Sequence, residues 1–197
     1  VVGYVGSPSD VQKGQQLRYT IAAGNVNTQF EINAVTGVFS MASTARLDFE
    51  TQSKYELSVM ATDDGMGNLA RAATTTVYVH DVNEHPWFPS TTRYVKEMSP
   101  KGTPCGEPVQ GMDNDAGDKL TYALVNAPAS FAVHAESGQI STTGAPLLDY
   151  EDISSYVLTV RVSDTARPCG RLQEMCPSLS NTGTVTLMVV DVNDGPV

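Results

Sequence analysis

A chain of 197 residues is long enough for one large or two ordinary domains. Its hydrophobic fraction, 41%, can fill real cores, but no run approaches the roughly 18 apolar residues of a membrane span. The net charge of −10 argues against a nucleic-acid groove, and cations are the natural partners of acids that stand beside Gly, Asn and Pro at turns.

The N-terminus, VVGYVGSPSD, has neither a basic segment nor a long apolar stretch, so it does not read as a signal peptide. It reads as a start inside a strand, which suggests a fragment of a longer protein. LRYTI (17–21) follows. Then Tyr55, Leu57 and Val59 alternate with Glu56, Ser58 and Met60, and Thr75, Val77 and Val79 lead into DVNE (81–84). Beyond DVNEHPWF (81–88), a strand is expected around 106–112, followed by LTYAL (120–124). Tyr156, Leu158, Val160 and Val162 then alternate with Val157, Thr159 and Arg161, and Val185, Leu187 and Val189 lead into DVND (191–194). Period-two alternation broken about every 8–12 residues predicts antiparallel β-sandwiches. No segment sustains a helical period.

The chain repeats itself. LDFE (47–50) returns as LDYE (148–151), 101 residues on; FEINAVTG (30–37) returns as FAVHAESG (131–138) and YELSVMATD (55–63) as YVLTVRVSD (156–164) at the same offset. DVNE (81–84) returns as DVND (191–194) at 110, so nine extra residues lie between Asp164 and Gly183. That insert holds Cys169 and Cys176. Their spacing suits a small disulfide-closed loop, which implies an oxidising compartment. The remaining cysteine, Cys105, is expected at the other pole of its sandwich. A strand length of roughly 25 Å would then separate it from the pair, far beyond the 5–6 Å that a bridge spans between Cα atoms. It is expected to be a buried thiol. Trp87 is expected to pack on the second repeat beside Phe88.

Strand directions bring Asp48, Glu50, Asp81, Asn83, Glu84, Asp113, Asp115 and Asp164 toward one junction between the repeats. Bare, these carboxylates would repel one another. A hard cation resolves this, and Ca²⁺ accepts six to eight mixed oxygen ligands, whereas zinc would want His or Cys. His85 is read as a linker residue offering only its carbonyl. Catalytic use of the acids is not expected: they are many, lie at strand ends and recur with the repeat. The sequence has no GxSxG, HExxH or phosphate loop.

LDFE/LDYE, MATDDG, MDNDAGD and DVNEHPWF/DVNDGP, in this order, resemble the extracellular repeat of the cadherin superfamily over nearly the whole chain. The resemblance implies an all-β chain of two tandem seven-stranded Greek-key β-sandwiches, 1–84 and 85–194, the first without its N-terminal strand and the second with an enlarged loop at 165–182. It implies up to three Ca²⁺ at the junction. Asp48 and Glu50 would come from the LDxE motif, Asp81, Asn83 and Glu84 from the linker with the carbonyls of Val82 and His85, Asp113 and Asp115 from the DxD motif, and Asp164 from the following strand. Asp118 would lend a carbonyl where the family has Asn, and Glu84 stands where Asp is usual. Glu97, in YVKEMSP, fits a family Glu that has no counterpart in repeat one. In repeat one Asp10-Val11-Gln12 stands where repeat two has Asp113-Asn114-Asp115. A second half-site would comprise Glu97, Asp149, Glu151, Asp191, Asn193 and Asp194.

The function so implied is a calcium-dependent cell-adhesion or tether module in the extracellular part of a membrane-anchored protein. Its partners would be other cadherin-type ectodomains and neighbouring repeats, with no nucleic acid. The alternative is a heterophilic recognition or surface-coat module that uses the 165–182 loop.

Overall fold

The computed structural model describes residues 3–4, 15–169 and 174–193. Asp10-Val11-Gln12, Asp194 and residues 170–173 of the enlarged loop lie outside the described residues. The chain divides into two compact units, 1–81 and 82–197.

Unit 1 contains β1 (Gly3–Tyr4), β2 (Leu17–Ala23), β3 (Phe30–Ile32), β4 (Val38–Met41), β5 (Lys54–Asp63) and β6 (Ala70–Tyr78), arranged as two sheets, β1-β4-β3 and β2-β5-β6. Period-two alternation places Tyr55, Leu57 and Val59 of β5 inward, where they meet Tyr19, Phe30 and Phe39. The Phe30 and Tyr55 rings pack edge to face at 5.0 Å.

Unit 2 contains β7 (Thr91–Lys96), β8 (Thr121–Val125), β9 (Phe131–Val133), β10 (Ile140–Thr142), β11 (Ser155–Ser163), β12 (Arg167–Cys169), β13 (Glu174–Cys176) and β14 (Ser180–Val190). The main sheet runs β7-β14-β11-β8, with β7 parallel to β14 and the other pairs antiparallel; β9 and β10 lie in the opposing layer. Leu158, Val160 and Val162 of β11 and Val185, Leu187 and Val189 of β14 fill the core with Ile140, Leu148 and Phe131. Gly183 is a packing requirement, because a Cβ there would lie 2.6 Å from the Phe88 ring that covers β14. Among the described residues, no strand flanks β6 in the way that β7 flanks β14.

The repeat extends to register. Phe30 pairs with Met41 and Phe131 with Thr142, both partners displaced by 101. Phe131 and Tyr156 reproduce the edge-to-face pair at 5.0 Å.

The strand expected around 106–112 does not form as a ladder. Single bridges join Pro104 to Ser141 and Trp87 to Met112, and Cys105 and Val109 donate their N–H groups to Ile140 and Gly138. The reason is local: Pro104 and Pro108 have no N–H to donate, and Gly106 adopts a left-handed φ of 74°.

Candidate cation-binding site

One end of unit 2 gathers oxygen-bearing side chains from three segments, the linker before β7, the loop before β8 and the end of β11, and β12 faces them. Asp164, directly after β11, is almost fully buried. Its Oδ1 accepts the Leu179 N–H at 2.7 Å and its Oδ2 accepts Asn83 Nδ2 at 2.9 Å. Asn83 Nδ2 also reaches the Pro177 carbonyl at 3.0 Å. Asp115, also buried, accepts the Glu84 N–H at 2.8 Å through Oδ2. Asp113 Oδ1 accepts the Asp115 N–H at 3.1 Å, which turns the loop back on itself before Gly117, at φ 94°, carries it toward β8.

Asp113, Asp118 and Asp164 each bring a carboxylate oxygen within 4.8 Å of the other two. The electrostatics reflect the crowding. The Asp113 carboxyl is raised above its ordinary value first by burial and then by the charges of Asp115 and Asp164, against the pull of its bond from the Asp115 N–H. Burial likewise raises Asp118, with the Arg167 charge opposing it. Asp113 Oδ2 and Asp118 Oδ2 are buried with no hydrogen-bond donor. Buried carboxylate oxygens without donors, in an all-oxygen set, fit a hard divalent cation. They do not fit zinc, since no thiol joins them and the His85 ring turns to the Ser180 carbonyl at 3.1 Å.

One participant was not legible in the sequence. Arg167, on β12, is directed into the acids. Its Nη2 pairs with Asp115 Oδ1, its Nε donates to Asn83 Oδ1 at 3.1 Å, and the same Nε lies 3.7 Å from Asp118 Oδ2. Its side chain is 18% exposed, and that of Asp118 is 6% exposed. Arg167 lies in the insert and has no counterpart in the first repeat. The only sequence signal was a cation three residues beyond Asp164.

The opposite end of unit 2 holds the second set. Glu97, buried after β7, accepts the Tyr150 and Val192 N–H groups through its two oxygens. Asp149 and Glu151 are exposed, and each brings an oxygen within 4.8 Å of the others and of Glu97. Glu151 is raised: a backbone hydrogen bond lowers it, but desolvation and the charges of Glu97, Asp191 and Asp149 together outweigh that. Asp191 and Asn193 follow β14 and are exposed; Asp194 lies outside the described residues.

Unit 1 presents its own acids. Asp48 caps the turn before β5, its Oδ2 accepting the Thr51 hydroxyl at 2.8 Å and its Oδ1 the Glu50 N–H at 3.1 Å. The Thr51 hydroxyl is the main reason that Asp48 titrates below its ordinary value. Glu50 is exposed, and Asp81 stands partly exposed after β6. The same turn recurs in unit 2, where Asp149 Oδ1 accepts the Asp152 N–H at 3.1 Å.

The remaining expectations divide. Cys169 and Cys176 form the disulfide, with Cα atoms 5.8 Å apart, tying β12 to β13. Cys105 is a free, fully buried thiol that burial raises to about 11, with Arg93 opposing. Trp87 bonds through its backbone to Met112, but its side chain is 47% exposed, so Phe88 provides the packing that was expected of both. Val82 is exposed.

Comparison with known proteins agrees with this architecture. The family model "Cadherin domain" matches residues 4–80 and 92–190. Human protocadherin Fat 1 is 32% identical over 191 residues, covering 94% of this chain and 4% of that protein. Rat cadherin-22 is 31% identical over 210 residues, covering 99% of this chain and 24% of that protein. The crystal structure of mouse cadherin-23 EC22-24 superposes with a TM-score of 0.64 at 30% identity, covering 90% of this chain and 53% of that one. The chain thus spans a small part of the length of the relatives it matches. Among the described residues, no helix is long and apolar enough to cross a membrane.

Proposed function

From the premise that this chain belongs to the cadherin family, we propose that it is a calcium-dependent extracellular tether or adhesion module in which Ca²⁺ fixes the junction between its two repeats. The single observation that carries the proposal is the buried acid end of unit 2, where Asp113 Oδ2 and Asp118 Oδ2 lack hydrogen-bond donors. Asn83, Glu84, Asp113, Asp115, Asp118 and Asp164 would be the unit 2 contribution, joined by the carbonyls of Val82 and His85. Asp48, Glu50 and Asp81 would be the unit 1 contribution. A bound Ca²⁺ supplies positive charge and six to eight oxygen positions.

The chain's own residues do the rest. Asp164 anchors Asn83 to the start of β14, so the linker is held at the mouth of the cluster. Asp115 holds the Glu84 backbone, so the linker acid is presented from a fixed main chain. Glu97, Asp149, Glu151, Asp191 and Asn193, with Asp194, would serve a following repeat. The acids hold strand ends and ligand positions, and no residue is assigned a catalytic role. The parent protein is proposed to be membrane-anchored, with other cadherin-type ectodomains as partners.

A thermal melt in EDTA and across a calcium titration to several millimolar, with magnesium as control, tests the reading. A calcium-specific, saturable rise in Tm supports it by mass action; no rise, or an equal rise in magnesium, sinks it. A second reading, heterophilic recognition by the 165–182 loop, rests on Met175, exposed on the disulfide-closed hairpin. Deleting 169–176 without loss of partner binding would remove it.

A further inference from the structure

We propose that Arg167 is a built-in competitor of the cation, setting calcium affinity from the disulfide-closed hairpin β12–β13. The proposal rests on the calcium reading above and deepens it. Arg167 binds Asp115 Oδ1 and Asn83 Oδ1 and lies 3.7 Å from Asp118 Oδ2. Those are three of the side chains that the calcium reading needs. A guanidinium and a hard cation cannot both take the same carboxylate oxygen, because each requires its lone pairs and the two repel at contact distance.

The arrangement is a built one. Arg167 pairs across β12–β13 with Cys176, and Cys176 is bonded to Cys169. The two strands are thereby tied together beside the arginine, which holds its stem in place. The pairing is also shielded, with the Arg167 side chain 18% exposed and that of Asp115 fully buried. In the ion-free state the guanidinium neutralises part of the cluster, in accord with its lowering effect on both Asp113 and Asp118. In the loaded state it must withdraw from Asp115 and Asn83, and the hairpin that carries it shifts. Calcium binding at this end therefore reads out as a movement of the insert that the second repeat carries between Asp164 and Gly183.

The test is calcium titration by calorimetry of the intact chain and of Arg167→Gln, which keeps stem volume and removes the charge. Loss of one charge-assisted competitor predicts calcium affinity about tenfold tighter in R167Q. It also predicts a lower Tm in EDTA and a larger calcium-induced Tm increment. Cys169→Ala/Cys176→Ala, which keeps Arg167 but frees its hairpin, is expected to tighten calcium binding in the same direction by a smaller factor. This second variant keeps the test decisive if R167Q fails to fold. Calcium binding by the intact chain with unchanged or weaker binding in the variants overturns the inference and leaves the calcium reading standing. No calcium binding by any of the proteins overturns both.

Discussion

Asp164→Ala separates the structural role of the acid end from its proposed ion-binding role. In the absence of calcium, Asp164 is the clamp between the end of β11, the start of β14 and the linker. Its backbone N–H donates to the Leu179 carbonyl, and its carboxylate accepts from Leu179 and from Asn83. Truncation costs these two interactions unequally. Asn83 Nδ2 keeps the Pro177 carbonyl, so the Leu179 N–H bears most of the loss. A hydrogen bond to a charged acceptor contributes about 1.5–3 kcal/mol. Removing the charge also relieves repulsion on Asp113, whose raised carboxyl has Asp164 among its causes. The net expectation is a loss of about 2 kcal/mol in EDTA, less than the sum of two charged hydrogen bonds. Asp164→Asn keeps one acceptor and is expected to lose about half as much. Urea unfolding followed by the single tryptophan, Trp87, measures it, because Trp87 is bonded to Met112 within unit 2 and reports that unit. A D164A midpoint in EDTA indistinguishable from the intact chain would refute the clamp.

Leu158→Ala, at a fully buried position on β11, is expected to cost unit 2 about 3 kcal/mol, read as a shift in the Trp87 urea midpoint; a shift under a third of that would mean the site collapses. Reducing the Cys169–Cys176 bridge, whose cysteines are seven residues apart, is expected to cost about 2.5 kcal/mol by the loop-entropy relation, seen as a lower midpoint in mild reductant. Cys105 is raised from 9.0 to about 11. The folded state therefore holds its proton more tightly, and this stabilisation is complete below pH 9 and lost as pH rises through about 11. Two pKa steps correspond to about 3 kcal/mol, so Cys105→Ala is expected to flatten the alkaline loss of stability, and the intact thiol is expected to resist a thiol reagent at pH 8 until the chain unfolds.

The elements most legible in the sequence were those whose burial follows a period. Tyr55, Leu57 and Val59 alternate in β5, and Leu158, Val160 and Val162 in β11; both sets point inward because one face of each strand must be dry. The 101-residue offset carried further still, to strand register and to the Phe30–Tyr55 and Phe131–Tyr156 pairs. The segment 106–112 was misread because its apolar residues suggest a strand, while Pro104 and Pro108 supply no N–H donor and Gly106 turns the path. Asp164 and Asp191 were readable because they directly follow β11 and β14; Asp113 and Asp115 follow no strand and were placed from their motif and from a strand that does not form. Arg167 was not, because its contacts with Asn83 and Asp115 are 84 and 52 residues distant in sequence and depend on how the insert folds back.

The two acid ends of unit 2 are not equivalent, and the difference has a physical consequence. β11 and β14 hold them apart by about 30 Å, at roughly 3.3 Å per residue. At one end Glu97 has both oxygens satisfied by backbone N–H groups, and its neighbours Asp149 and Glu151 face water. Solvent and salt screen that repulsion, so the end tolerates the absence of a cation. At the other end Asp115 and Asp164 are buried, and Asp113 and Asp118 keep oxygens without donors. Neither water nor bulk salt reaches those charges well, and a positive group must be supplied from within or bound from outside. Arg167 meets part of that need from within. The exposed end should therefore respond to ionic strength, and the buried end to a specific divalent ion.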